Sequence, residues 1–180
     1  MKIYTKKGDR GETGLPGDRR LSKTDQLFET LGYLDQTSAF VGLAVSLTED
    51  KKSRLVDSLQ TIQSNFLSIG ACLASTHPAD DNVLAKLPGE TEKLELEIDA
   101  WNEVLPPLRN FILAGGTSAA AALHAARASI RTAERNFHRL PENQKLSEIS
   151  QYLNRLSDYF FQAARFTNHQ NKQPDIIWQN

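Results

Sequence analysis

At 180 residues the chain is the size of one ordinary domain, long enough to close a hydrophobic core. Its 39% hydrophobic and 8% aromatic content excludes a disordered chain, and its apolar runs are too short to span a bilayer. Lys and Arg number 21 against 22 Asp and Glu, a net charge of -1, so bulk attraction to nucleic acid is excluded and an anion site has to come from local clustering.

The first 23 residues stand apart from the rest. Glycines recur at Gly8, Gly11, Gly14 and Gly17, with basic residues at Lys2, Lys6, Lys7, Arg10, Arg19, Arg20 and Lys23. The run GDRGETGLPGDR is too short for a collagen triple helix, and a P-loop would need Gly-Lys-Ser/Thr opening a helix. Two readings remain: a flexible tail, or a loop whose glycines let backbone N–H groups converge on an oxyanion while Lys and Thr side chains add charge and hydroxyls. Met1 opens a polar, Lys-rich stretch and not a signal peptide.

Five amphipathic helices follow. The first carries Leu27, Leu31, Leu34, Ser38, Val41 and Val45; the second Leu55, Leu59, Ile62, Phe66, Ile69 and Leu73; the third Leu94, Ile98, Trp101 and Leu105. The fourth carries Ala119, Leu123, Ala126, Ile130, Ala133 and Phe137, and the fifth Ile149, Leu153, Leu156, Phe160 and Ala163. Steps of four and three place each set on one helical stripe. Ser22 with Asp25 predicts a capping box for the first helix, and Thr48 with Glu49 and Asp50 the cap of the second. All seven prolines (Pro16, Pro78, Pro88, Pro106, Pro107, Pro141, Pro174) are expected outside helices, with longer connections at 75–90 and 105–117 and a fraying polar end from Asn168. The expected architecture is all-α, a single-domain five-helix bundle with ferritin-like up-down packing: a leader at 1–22, the bundle at 23–168 and a polar tail at 169–180. Cys72 is the only cysteine, which excludes an internal disulfide, fits a reducing cytoplasm and reads as a small core residue.

A polar stripe borders the apolar face of the fourth helix: His124, Arg127, Arg131, Glu134 and His138, with Arg135 beside it. Three arginines, no lysine and one carboxylate suit planar contact with phosphate or carboxylate better than an ordinary solvated face. The fifth helix adds Asn154, Arg155, Asp158 and Arg165, and Asp35 sits mid-helix in the first, where it needs a partner or water. Other sites fail on spacing. Glu134 and His138 are one residue too far apart for a ferritin-type di-metal motif, and His77, His124, His138 and His169 show no zinc spacing. Glu92 and Glu95 leave open a helical nucleotide pyrophosphatase, and the arginine stripe leaves open a non-catalytic protein that docks an acidic partner.

The segments KIYTKKGDRGETGL, FILAGGTSAAAALHAAR, RTAER and YLNRLSDYFFQAAR, in that order, together resemble the PduO-type ATP:cob(I)alamin (corrinoid) adenosyltransferases. The resemblance runs from residue 2 to 168 and includes GYLDQTSAFVGLA and IQSNFLSIGACLA. It implies a homotrimer with active sites between subunits, in which Co(I) of a corrinoid attacks the 5′ carbon of ATP and expels triphosphate, with Mg²⁺ held mainly by phosphates, near Glu134 in one reading. It implies an ATP site from Thr5, Lys6, Lys7, Gly8, Thr13, Gly14 and Lys23, faced by Arg131, Glu134, Arg135 and Asn154. Asp35 and Arg127 would form a catalytically important pair between subunits, and Phe111 would lie against the lower face of the corrin. A flavin-type reductase and an adenosylcobalamin-dependent client enzyme are the partners it suggests. The chain departs from the family pattern at Lys7 before Gly8, at Ala114 in place of a proline, and at Thr132 in place of a second arginine.

Overall fold

The computed structural model describes residues 3, 4, 6, 8–17, 19–75, 81–141 and 146–179. A short antiparallel hairpin, β1 (Glu12–Gly14) and β2 (Arg20–Ser22), precedes five helices: α1 (Gln26–Leu47), α2 (Arg54–Ala74), α3 (Asp81–Val104), α4 (Ser118–Phe137) and α5 (Ser147–Gln170). The expected five-helix bundle is present. Hydrogen bonds between helices give its directions. Gln26 meets Asn136 and Thr37 meets Ser129, so α1 and α4 are antiparallel. Glu134 meets Asn154 and Thr117 meets Asn168, so α4 and α5 are antiparallel. Helix α3 runs parallel to α5, with Glu97 receiving the Tyr159 hydroxyl at 2.8 Å and Arg155 donating to Glu95 at 2.9 Å. Helix α2 runs antiparallel to α5, with Asn65 donating to Tyr152 and Ser58 sharing Glu97 with Tyr159, so consecutive helices alternate up and down. The main packing surfaces join α1 to α4, α4 to α5, α3 to α5 and α1 to α2, whereas α2 and α3 meet chiefly through Arg54 and Ser58 bonding to Glu97.

The core follows the apolar stripes closely. Every residue predicted inward on the second, fourth and fifth helices is buried. On α1 the stripe is rotated: Thr30, Thr37 and Ala44 are buried, while Leu31, Ser38 and Val45 are half-buried. Threonine tolerates this because its hydroxyl can bond the carbonyl one turn back. Thr30 donates to the Gln26 carbonyl at 3.1 Å, and Thr37 donates to the Tyr33 carbonyl at 2.7 Å. Cys72 is a core residue, as expected. Burial raises the pKa of Tyr152 and, together with Glu97, that of Tyr159, so both phenols stay neutral in the interior, Tyr159 donating to Glu97 and Tyr152 accepting from Asn65.

Several predicted boundaries shift. Asp25 alone caps α1, its carboxylate accepting from the Leu27 N–H at 2.9 Å; Ser22 instead accepts from Thr24 in the turn before it. Thr48 ends α1, and Ser53 begins α2 without a side-chain cap bond. The carboxylate of Asp50 accepts from the Lys52 N–H, within the turn and not at a helix start. Pro88 lies inside α3, which begins at Asp81, so the predicted 75–90 connection is much shorter. Proline removes one ladder bond there, but Leu87 and Leu94, buried on the core side, hold the helix across the break. The end of the chain does not fray at Asn168. That residue is buried, α5 continues to Gln170, and the segment beyond folds back, turning at Lys172 (φ 54°), to bridge Ile177 with Ile112.

Candidate active site

The leader is folded against the bundle. Leu15 and Leu21 pack on the core, the Lys23 N–H donates to the Gly11 carbonyl at 2.8 Å, and Lys23 Nζ stands over Gly8. Lys6 holds a φ of 58°, a left-handed conformation that non-glycine residues rarely adopt, in the stretch whose N–H groups would cradle an anion. Thr5 and Lys7 lie outside the described residues; Gly8, Thr13 and Gly14 belong to the turn and first strand of this unit. The exit of the hairpin is fixed by Gln26, which donates to both the Asn136 carbonyl and its side-chain oxygen, at 3.2 and 2.9 Å. The start of α1, where the leader ends, is thereby tied to the last turn of α4.

Those turns carry Arg131, Glu134 and Arg135, and α5 places Asn154 opposite, donating to Glu134 at 2.9 Å. Arg131 and Arg135 are exposed. Four other arginines have carboxylate partners: Arg20 pairs with Glu12, Arg54 with Glu97, Arg155 with Glu95 and Asp158, and Arg165 with Asp175. Among the described residues, neither Arg131 nor Arg135 has one. Thr132, where the family pattern carries arginine, instead accepts from Arg135 at 3.0 Å and steadies that guanidinium.

Further back on α4, Arg127 and His124 lie against Phe161 of α5, the guanidinium 6.0 Å from the ring centroid and the imidazole 6.1 Å from it. Arg127 Nε and His124 Nδ1 are buried without a hydrogen-bond partner. Burial, reinforced by the charge of Arg127, pushes the His124 pKa down, and burial with Arg131 lowers that of Arg127. Asp35 is exposed on α1, and among the described residues it forms no ion pair with Arg127.

At the opposite end of α4 the 105–117 connection presents Phe111, 80% exposed, in a cleft of about 610 Å³ with Leu108, Arg109, Asn110 and Trp178. Trp178 meets the Phe111 ring edge-on, centroids 6.4 Å apart, and its N–H donates to the Phe111 carbonyl at 2.8 Å. The sequence reading missed Trp178 because it set the tail aside as polar; the run Asp175-Ile176-Ile177-Trp178 is the apolar signal that was there to find. Ala114, in place of proline, does not leave the loop untied, since the adjacent Leu113 N–H bonds the Ile176 carbonyl at 2.8 Å.

The alternative carboxylate site is not assembled. Glu95 is engaged by Arg155, and among the described residues no three His, Cys, Asp or Glu side chains gather to hold a metal ion. A separate cleft of about 630 Å³ involves Arg54, Glu97 and Trp101, but Glu97 is already satisfied by Arg54, Ser58 and Tyr159.

Comparison with known proteins places the fold in a family. The cobalamin adenosyltransferase family profile matches residues 3–167. The corrinoid adenosyltransferase of Bacillus subtilis is 38% identical over 182 residues, covering 99% of this chain and 93% of that protein. Corrinoid adenosyltransferase MMAB of Homo sapiens is 39% identical over 172 residues, covering 92% of this chain and 68% of that protein. A variant PduO-type ATP:corrinoid adenosyltransferase from Lactobacillus reuteri, solved with cobalamin and ATP, superposes with a TM-score of 0.90 at 39% identity, covering 99% of this chain and all of that one. With the fold, the leader and the full length matched, the chain belongs to the cobalamin adenosyltransferase family.

Proposed function

We propose that the chain transfers the 5′-deoxyadenosyl group of ATP to the Co(I) centre of cobalamin or a related corrinoid. The cobalt electron pair forms the new Co–C bond, the C5′–O bond breaks, and its electrons leave on inorganic triphosphate. Cobalt is the nucleophile, so the protein needs no Ser, Cys or His in that role. Its tasks are to neutralise the leaving group, align the 5′ carbon and exclude water. The observation that carries this reading is the pair of guanidinium groups, Arg131 and Arg135, that lack a carboxylate partner among the described residues, on the end of α4 tied to the start of α1 where the basic leader ends. Two exposed arginines with no carboxylate partner are poised for phosphate oxygens.

In this reading Lys6, Gly8, Thr13, Gly14 and Lys23, with Thr5 and Lys7, close over the triphosphate from the leader side. Arg131 and Arg135 receive it on α4, and Asn154 orients Glu134. Mg²⁺ arrives with the nucleotide and is held mainly by phosphate oxygens; the free oxygen of Glu134 is the contact the protein can add directly or through water. Phe111, exposed and braced by Trp178, offers an apolar ring to the lower face of the corrin. Displacing the lower axial ligand there leaves a four-coordinate Co(II) that is easier to reduce, the corrinoid supplying the rest of the reactivity.

The working unit in this proposal is a homotrimer with sites between subunits. Its support is the exposed stripe of Gly32, Asp35 and Ala39 on α1, the exposed Ala121 and Ala128 on α4, and the orphaned Arg127 Nε, which awaits the partner subunit's Asp35. A flavin-type reductase as electron source and an adenosylcobalamin-dependent client complete the proposed partners. Among the described residues no helix is long and apolar enough to cross a membrane, and the single, buried Cys72 supports a reducing cytoplasmic setting.

The test is incubation with ATP, Mg²⁺ and chemically reduced cobalamin. An alkylcobalt visible spectrum with stoichiometric triphosphate is expected. Pyrophosphate and a nucleoside monophosphate would instead identify a pyrophosphatase and overturn the reading.

A further inference from the structure

The 105–117 connection that carries Phe111 is held at both ends by one face of α5. Near its start, the Arg165 guanidinium donates to the Pro106 carbonyl at 2.8 Å. At its far end, Asn168, one turn along, donates to the Gly115 carbonyl at 3.0 Å and accepts from the Thr117 N–H at 2.9 Å. Arg165 also donates to Gln162 at 3.1 Å and to the Asp175 carboxylate at 2.8 Å. Its side chain is only 4% exposed and that of Asp175 is 21% exposed. Asp175 lies just before the residues that pair with the loop: the Ile176 carbonyl accepts from Leu113, and the Trp178 N–H donates to Phe111.

We propose that Arg165 and Asp175 are a positioning pair for adenosyl transfer. The buried guanidinium ties the C-terminal segment and the start of the Phe111 loop to the same point on α5, and so sets the height and tilt of the Phe111 ring. A fork of N–H donors is suited to this because it can serve a carboxylate, an amide and a carbonyl together, which the ammonium of a lysine cannot do with the same fixed geometry. The carboxylate matters as the counter-charge: without it the guanidinium is left buried and unpaired, and the tail loses its anchor. Neither residue contacts a reacting atom; both act through Phe111. The proposal rests on the role given above to Phe111.

The test compares Asp175→Asn, Asp175→Ala and Asp175→Glu in the full-length protein, with Phe111→Ala alongside. Asp175 is on the tail, outside the helical core, so each variant is expected to keep the helical content of the parent. In Asp175→Asn and Asp175→Ala, hydrogen exchange at the Leu113 and Trp178 amides should quicken by about tenfold or more. Adenosylation from Co(II)cobalamin with reductant should slow, with the KM for ATP essentially unchanged. Asp175→Glu should regain most of the rate. Unaltered protection of those two amides would overturn the proposal. So would loosened amides with full activity while Phe111→Ala is slow, because the ring would then not depend on the clamp. A Phe111→Ala enzyme of normal rate would remove the underlying role of Phe111 instead, and the two failures are thereby told apart.

Discussion

Gln26 and Asn136 are 110 residues apart in sequence and joined side chain to side chain at 2.9 Å, and that bond ties the first turn of α1, just after the leader, to the last turn of α4. In the proposed site, two separate basic elements meet across this junction. The leader brings Lys23 and the turn around Gly8; the helix brings Arg131 and Arg135.

Substitution of Arg131 or Lys23 by alanine should therefore raise the KM for ATP and lower kcat together. A charge-assisted hydrogen bond lost from the triphosphate amounts to about 1.5–3 kcal/mol, or about tenfold to a hundredfold in kcat/KM. Steady-state kinetics with varied ATP check this; parent-like constants in either variant would detach that residue from the nucleotide.

Phe111→Ala and Trp178→Ala should behave as a graded pair. Loss of the exposed ring should slow adenosylation while leaving ATP binding intact, and loss of its edge-on support should give a smaller defect of the same kind. Titration calorimetry with ATP and a rate assay from Co(II)cobalamin separate the two effects. Weakened ATP affinity in Phe111→Ala would place the residue elsewhere.

Gly116→Ala is expected to destabilise the fold. Gly116 holds a φ of 103°, and an added Cβ would overlap the amide of Asn168, which is buried and bonded to both flanks of the turn. The strain and the disturbed clamp together should cost about 1–3 kcal/mol. A urea midpoint equal to that of the parent would contradict this.

Asp35→Arg and Arg127→Asp should each weaken subunit association, and the double exchange should recover part of it. Arg127 Nε is buried without a hydrogen-bond partner among the described residues, so an incoming carboxylate would relieve a desolvated donor. Sedimentation velocity reads the assembly state directly; simply additive losses in the double exchange would exclude the pairing.

His124 predicts a pH dependence of stability. Its folded pKa is depressed by burial and then by Arg127. Above the ordinary histidine value of about 6.5 the ring is neutral in both states and the full stability is present. As pH falls below that value the unfolded chain takes up the proton first, and stability declines until the folded pKa is reached. His124→Gln should flatten this part of the profile in urea titrations between about pH 7 and pH 5; an unchanged slope would show that the ring protonates freely in the fold.

The bundle was legible in the chain because steps of four and three leave no other way to bury Leu59, Ile62, Phe66 and Ile69 together. The rotation of α1 was not, because hydropathy counts Thr30 and Thr37 as polar and cannot see a hydroxyl satisfied by its own helix. Pro88 misled for a related reason: local chemistry argues against a helix there, and burial of Leu87 outweighs it. The arginine stripe and Phe111 stood out through residue type and resemblance. The tail did not, since the Arg165–Asp175 pair and the Ile112–Ile177 bridge are contacts between distant segments, without a periodic signature.

The most direct measurement is a crystal structure of the full-length protein with ATP and Mg²⁺. The account places the triphosphate between the leader, with Lys23 in contact, and the guanidinium groups of Arg131 and Arg135. Nucleotide bound away from that surface, with those three side chains more than a hydrogen bond from any phosphate oxygen, would contradict it.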